Sequence, residues 1–375
     1  MRREYIKNTA PILALLLATF AAAKRPLNYR RRAKTPAASA APAAAAKISP
    51  STVVVSAAPV APRVRLAEGR WNPEVRAAIE NLIAEKGRNG PGYNPKAPPC
   101  AVLPWSDGAV DGDPAELVFL RLVTDAKFRV DEAWWDIIPI AQGRRPVRVA
   151  YEQFVALSSS VWTQQPSYHA WRKGMLSSYV SLCRGVGRKE CRAYLARLWA
   201  GWREDEAEDF SKRTLEDERR RGGGVEMIPG EPGDRSPLRA RRGLRAIAEM
   251  RDLVVTLRAE GFDVRVIDDV PQPVLAASTA DYGIDPSRTY GVQNSSDGAR
   301  FGAGVLKPVP TRGGKTEIVQ SALGRPAELV IGRDSADFDV LSYGDGLRVV
   351  LDADPDLARK ARERGWLVQR AWSRD

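Results

Sequence analysis

Histidine is almost missing from this chain: His169 is the only one among 375 residues. Zinc sites, hydroxyl–imidazole triads and phosphohistidine chemistry all draw on imidazole, so each is a poor reading here. Cysteine is scarce as well. Cys100, Cys183 and Cys191 are too few, in too long a chain, for a disulfide scaffold, and they form no metal-type cluster with histidine. Cys183 and Cys191 can pair if the chain meets an oxidising compartment, and the sequence leaves that open. Long apolar runs are absent too. The one near the N-terminus, residues 10–23, is 14 residues long, short of the ~20 that cross a bilayer as a helix.

That run follows Arg2, Arg3 and Lys7, ends in Ala21, Ala22 and Ala23, and is halted by Lys24, Arg25 and Arg30–Arg32. A basic start, a short apolar stretch and an Ala-x-Ala ending resemble a secretory signal cleaved after Ala23. A retained short anchor and a cytosolic leader are the alternatives. The expectation is an exported, periplasmic or extracytoplasmic protein, tethered to a membrane through residues 10–23 if at all. No Cys follows the run, so lipid attachment is unsupported. Residues 24–70 read as a basic and then Ala/Pro-rich disordered spacer.

The net charge of +12 suggests nucleic acid until it is located. Residues 1–35 hold nine Lys or Arg against one Glu, leaving only +4 for residues 36–375. That is no phosphate-backbone footprint, and nucleic acid is not an expected partner. With 44% apolar and 28% charged residues, the rest reads as an ordinary globular protein.

Apolar spacing predicts a helix over 73–86 and a short strand, Cys100-Ala101-Val102-Leu103, ending in a turn. Helical patterns then fill 115–124, 131–138, 149–158, 168–183, 189–202 and 204–218. Trp134, Trp135, Trp162, Trp171, Trp199 and Trp202 lie in this block, where buried packing is favoured over a ligand platform. His169 also lies there, without a catalytic-looking neighbour, and is expected to be structural. A charged, Gly-rich return over 219–237 follows. Helices over 244–260, 274–282 and 356–363, each closed by glycine, then alternate with strands over 262–267, 328–331, 347–351 and 366–368. Helix–Gly–strand units of this kind predict a mostly parallel sheet with right-handed crossovers.

Four segments in this order resemble the haloacid-dehalogenase-like hydrolases, phosphoserine-phosphatase-like branch, over roughly residues 98–372. The first is Leu103-Pro104-Trp105-Ser106-Asp107-Gly108, where the family has Asp-x-Asp-x-Thr. The second is Asp268-Asp269-Val270-Pro271, where the family has a phosphate-binding hydroxyl. The third, Arg312-Gly313-Gly314-Lys315, keeps the family's lysine. The fourth, Gly332-Arg333-Asp334-Ser335-Ala336-Asp337, resembles Gly-Asp-Ser-x-x-Asp. The resemblance implies a three-layer α/β Rossmann-like core with a mostly parallel sheet and an inserted helical cap. Its parts would be an N-terminal helix and first strand over 71–113, the cap over 114–225 and the rest of the core over 226–375.

It also implies which chemistry is missing. Pro104 stands at the nucleophile and Ser106 at the general acid. Asp268 replaces the phosphate hydroxyl, and Arg333 replaces a metal carboxylate. The expected function is therefore an exported, phosphatase-like protein without catalysis, in a binding or structural role and with no cofactor. Lys315 and Arg333, beside the substituted Asp268, would suit a small anionic ligand. The alternative is an altered Mg²⁺-dependent phosphomonoester hydrolase. It would use Asp107 or Asp111 as nucleophile, Lys315 in support, and Asp337 or Asp334 on the metal. No residue identifies a substrate, a protein partner or an oligomeric state.

Overall fold

The structure, a computed structural model, describes residues 64–372. The signal or anchor over 10–23 and most of the spacer lie outside the described residues. Helix α1 (Pro73–Lys86) starts at a proline, whose missing N–H costs nothing in a first turn, and buries Val75, Ile79 and Ile83 at helical spacing. Strand β1 (Cys100–Leu103) follows and is buried along its whole length. A turn then leads through the two-residue β2 (Val110–Asp111) into the helical insert.

The insert consists of α2 (Pro114–Thr124), α3 (Arg144–Val155), α4 (Pro166–Gly185), α5 (Arg188–Arg197) and α6 (Glu204–Arg221). Its interior is aromatic: Trp171 lies against Phe128, Tyr151 and Phe154, and Trp199 against Trp202 and Phe210. Trp134, Trp135, Trp171, Trp199 and Trp202 are buried, and Trp162 packs at the margin of the same cluster. The tryptophans are therefore packing residues. His169 donates its Nε2–H to the Thr163 carbonyl at 3.0 Å, tying a turn of the insert.

Expectation and structure part in a few places. Residues 131–138 form only a 3₁₀ turn, Ala133–Ile137, and α5 stops at Arg197 instead of running to 202. The return over 219–237 is not a plain loop. Within it β3 (Gly224–Ile228), which straddles the expected domain boundary at 225/226, forms an antiparallel hairpin with β4 (Leu238–Arg242) just beyond it. The helix expected from 244 starts later, as α7 (Ala248–Ala259), because β5 (Arg245–Ala246) pairs with β2.

The core then continues through β6 (Asp263–Pro271), α8 (Gln272–Thr279), β7 (Thr289–Val292) and a hairpin of β8 (Asn294–Ser296) and β9 (Phe301–Val305). After it come α9 (Gly313–Leu323), β10 (Leu329–Gly332), α10 (Phe338–Leu341), β11 (Leu347–Asp352), α11 (Pro355–Glu363) and β12 (Leu367–Arg370). Six strands build one sheet in the order β12–β11–β10–β1–β6–β7, and every neighbouring pair is parallel. The architecture is the expected one: a three-layer α/β Rossmann-like core, a parallel central sheet and an inserted helical region. Strand β1 sits centrally, with Ala101 opposite Val264 on one side and Leu329 on the other. Chain order reverses at the β1–β10 boundary, the crevice where open α/β sheets take their ligands.

Candidate functional site

The turn after β1 is closed by its own atoms. Trp105 and Ser106 are fully buried, and the Trp105 ring meets Tyr282 edge-on at 4.8 Å. A Cβ on Gly108 would come within 2.9 Å of the Pro104 ring, so the chain folds back here only with glycine. Asp107 has a left-handed backbone (φ 50°). Its carboxylate accepts from the Gly112 N–H at 3.0 Å, and its own N–H donates to the Gly112 carbonyl at 3.1 Å. Arg241 grips the same carboxylate at 3.1 Å. Asp107 therefore clamps the turn and does not move into the place Pro104 vacates.

Strand β6 runs four residues beyond the expected 267, because β7 continues the ladder to Pro271. The extension carries Asp268 and Asp269 into the crevice, both almost wholly buried. Asp268 accepts from the backbone N–H groups of Trp105 (2.8 Å) and Ser106 (3.2 Å), and from the Ser106 hydroxyl (3.3 Å). Its carboxylate thus fills a cradle of donors at the end of β1, a place where such strand ends receive anions. Burial pushes its pKa up from 3.8 to about 6; Lys315 pulls the other way.

Behind it lies a sealed ion pair. The first turn of α9 places Lys315 in the crevice, and a Cβ at Gly314 would fall 1.9 Å from the Val309 carbonyl. Lys315 Nζ donates to Asp337 Oδ1 at 2.5 Å, and both side chains are buried. Lysine therefore pairs with Asp337 and not with Asp268. The other Asp337 oxygen accepts from the Arg333 and Asp334 N–H groups at 2.7 and 3.3 Å. Burial alone would lower the Lys315 pKa, but Asp337, with Asp268 and Asp269 nearby, raises it; Lys315 in turn holds Asp337 low. The Arg333 guanidinium pairs with Asp334 at 2.6 Å and approaches Asp107 at 3.7 Å.

Toward the insert, a cavity of about 260 Å³ opens between core and helices. Four arginines line it, Arg188, Arg192, Arg241 and Arg333, together with Asp107, Asp113 and Glu116. Lys315, Asp268 and Asp337 are brought beside this cavity without lining it. Each arginine is already held by carboxylates. Arg188 spans Asp269 and Asp334 (3.0 Å to the latter), and Arg192 bridges Asp113 and Asp269 (3.3 Å to the latter). Arg241 also reaches Asp111 at 3.1 Å. Burial would raise the Asp269 carboxyl, but the two guanidiniums keep it far below the usual range.

Asp113, Arg188, Arg192, Arg241 and Asp269 were not singled out from the sequence. Their only signals were the doubled aspartate at 268–269 and the i, i+4 spacing of Arg188 and Arg192 just after Gly187. Those two arginines flank Cys191 on α5, and a disulfide ties Cys191 to Cys183 across the α4–α5 turn, with a Cα separation of 4.9 Å. Backbone N–H groups of Val186 and Gly187 donate to the Leu182 carbonyl, but side-chain packing on the turn is sparse: Val186 is exposed, and a Cβ at Gly185 or Gly187 would touch nothing. Reduction with a dithiol should lower stability by about 2–3 kcal/mol, and amide exchange over 184–192 should rise first. Unchanged exchange there in the reduced, folded protein would contradict this.

Asp268 also yields a pH prediction. The folded state holds its proton more tightly than the unfolded chain, so this group favours folding at acid pH, and that advantage disappears between pH 4 and 6. Asp268→Asn keeps an acceptor for the Trp105 and Ser106 N–H groups and removes the buried charge. Urea unfolding should show the variant gaining on the native protein as pH rises from 4.5 to 7.5, by about 1–3 kcal/mol. A difference independent of pH would exclude a buried, ionising Asp268.

A Mg²⁺ ion fits this arrangement poorly. It needs hard oxygen ligands with free lone pairs, whereas the Asp337 and Asp334 oxygens face Lys315, Arg188, Arg333 and backbone N–H groups. Among the described residues, no group of three or more His, Cys, Asp or Glu side chains is disposed to hold a metal.

No family model matches this chain, and no curated protein matches it. Among solved structures, it is similar to a conserved, functionally unknown protein from Anaerococcus prevotii. Identity is 20%, the TM-score is 0.72, and the match covers 81% of this chain and 93% of that one. That likeness establishes the fold. A protein of unknown function from Bordetella pertussis gives a TM-score of 0.46 at 12% identity, over 73% of this chain and 98% of that one. A substrate-bound phosphoserine phosphatase gives 0.38 at 9% identity, over 73% and 93%. Neither of these two carries an argument at such values.

Proposed function

We propose that this chain is a haloacid-dehalogenase-like protein of the phosphoserine-phosphatase-like branch that no longer hydrolyses phosphate esters and serves outside the cytoplasm as a binding module. The observation that carries the reading is Asp268, whose carboxylate occupies the N–H groups of Trp105 and Ser106. A phosphoryl group placed there would meet a buried anion in place of its donors. Pro104 supplies no nucleophile, Ser106 no acid, and the Lys315–Asp337 pair is closed on itself. Asp107 and Asp111, the substitutes a hydrolase would need, are both engaged by Arg241. Export is supported by the basic, apolar and Ala-rich N-terminus together with the Cys183–Cys191 disulfide. The arginine-walled cavity is the module's ligand space, and a small anion would compete with Asp107, Asp113 and Asp334 for guanidinium groups.

The test is turnover. With Mg²⁺, the purified protein should hydrolyse phosphoserine and p-nitrophenyl phosphate no faster than an Asp107→Asn variant, and Pro104→Asp alone should not restore activity. Efficient Mg²⁺-dependent turnover by the unmodified protein, abolished in Asp107→Asn, would establish the hydrolase alternative.

A further inference from the structure

The β3–β4 hairpin is a sheet of two strands, separate from the central one. Alternation along the strands divides its side chains between two faces. On one face Ile228 is wholly buried, Leu238 and Ala240 pack on the main core, and Glu226 pairs with Arg172 and Arg242. The other face is built from the cross-strand pairs Val225–Arg241 and Met227–Arg239. Its two apolar side chains are half out of the protein, Val225 at 49% exposure and Met227 at 50%.

A two-stranded sheet leaves an outer row of backbone N–H and C=O groups on each strand. On β3 that row has no partner among the described residues, since the strand pairs with β4 alone. Edge strands are commonly blunted by cations, proline or a bulge. Strand β4 carries Arg239, Arg241 and Arg242. Strand β3, Gly-Val-Glu-Met-Ile, has no cation and no proline, and its ladder to β4 is unbroken over five residue pairs. We propose that β3 pairs antiparallel with the β3 of a second copy of this chain, so that two hairpins join into one four-stranded sheet about a two-fold axis.

The strand itself argues for its own copy as the occupant. A two-fold interface must be self-complementary. Overlap of all five residues puts the axis at Glu226 and sets Val225 of each copy opposite Met227 of the other. Each half-exposed apolar side chain thereby gains an apolar cross-strand neighbour. The charges on the axis are complementary as well. Two Glu226 carboxylates meet there, and each brings Arg172, at 2.6 Å, and Arg242, so four guanidiniums surround two acids. A Cβ at Gly222, Gly224 or Gly233 would touch nothing, which leaves the start of β3 and the hairpin loop clear. Five residue pairs make a contact smaller than the ~1,200 Å² of a stable complex, so the expected dimer is weak, with Kd of about 10–100 µM.

The experiment is sedimentation velocity of the full chain from about 1 to 300 µM, a range that brackets the Kd expected of so small a contact. Monomer should convert to dimer across it, and the backbone amide resonances of residues 224–228 should shift with concentration. The double variant Val225→Lys/Met227→Lys sets cations at two exposed positions. It should keep the native unfolding midpoint and weaken the dimer at least tenfold. Cross-linking reads the register. An equimolar mixture of Val225→Cys and Met227→Cys proteins should form a disulfide-linked dimer under mild oxidation, and either protein alone far less, because only the mixed pair stands directly opposite. The native cysteines do not compete, since Cys100 is buried and Cys183 is joined to Cys191. A monomer at every concentration overturns the proposal, including one whose 224–228 amides respond only to an unrelated extended peptide. A dimer that persists in the double lysine variant, or cross-linking as strong in one cysteine protein alone as in the mixture, overturns it equally.

Discussion

Lys315→Met should destabilise the protein by about 3–5 kcal/mol, the largest effect expected of any single substitution in the crevice. The lysine and Asp337 are both buried and 2.5 Å apart. Removing the cation leaves Asp337 supported only by the Arg333 and Asp334 N–H groups. It also strips Asp268 of the charge that moderates its pKa. The loss measures a stranded carboxylate, not the net worth of the pair. Lys315→Met combined with Asp337→Asn should therefore recover at least half of it, since the asparagine carbonyl still accepts from Arg333. Urea unfolding of both variants makes the comparison, and the double variant stays informative if the single one does not fold. A loss below about 1 kcal/mol in the single variant would mean that Asp337 has access to water.

Arg192→Met is the second large effect, about 2–4 kcal/mol at pH 7. Arg192 neutralises Asp113 and shares Asp269 with Arg188. Asp269 keeps a partner when Arg192 is lost, and Asp113 still caps α2 by accepting from Ala115 and Glu116 at 3.0 and 3.2 Å. The cost should therefore fall short of that for Lys315. Its pH dependence identifies the cause. Burial opposes ionisation of Asp113, but Arg192 holds its pKa below 3.8 in the native protein. The stability this linkage contributes is present above pH 4 and fades as the pH falls further. The gap between native and Arg192→Met unfolding curves should therefore be present at pH 7 and narrow only as the pH is taken below 3.8. A gap that stays the same from pH 7 to well below 3.8 would assign the effect to lost packing.

These side chains mark the boundary of what could be read from the sequence. The parallel sheet was legible because its strands are buried on both faces and read as unbroken apolar runs, as in Cys100–Leu103 and Leu329–Gly332. Strand β7 was not, since Thr-Tyr-Gly-Val starts on a polar residue and carries a glycine in its interior, leaving no unbroken apolar run. The start of α7 was misplaced because helical periodicity ran back through Arg245 and Ala246, which tertiary pairing with β2 claims. In the crevice, Pro104, Ser106, Asp268, Lys315, Arg333 and Asp337 were marked by motif position, and the structure gathers them. Arg188, Arg192 and Arg241 were far harder to see. They reach the crevice from α5 and β4, and in a chain with 58 basic residues the i, i+4 spacing of Arg188 and Arg192 is too common to single them out, while Arg241 has no local signal.

The central claim is that Asp268 occupies the anion cradle at the end of β1. It is tested most directly by titrating inorganic phosphate at pH 7.5 while following the amide resonances of Trp105 and Ser106 in the native protein and in Asp268→Ser. In the native protein both resonances should stay in place up to 20 mM phosphate, whatever occurs at the arginines of the neighbouring cavity. In Asp268→Ser they should move saturably. Saturable movement of the Trp105 and Ser106 amides in the native protein would show that the cradle is open and would contradict the account.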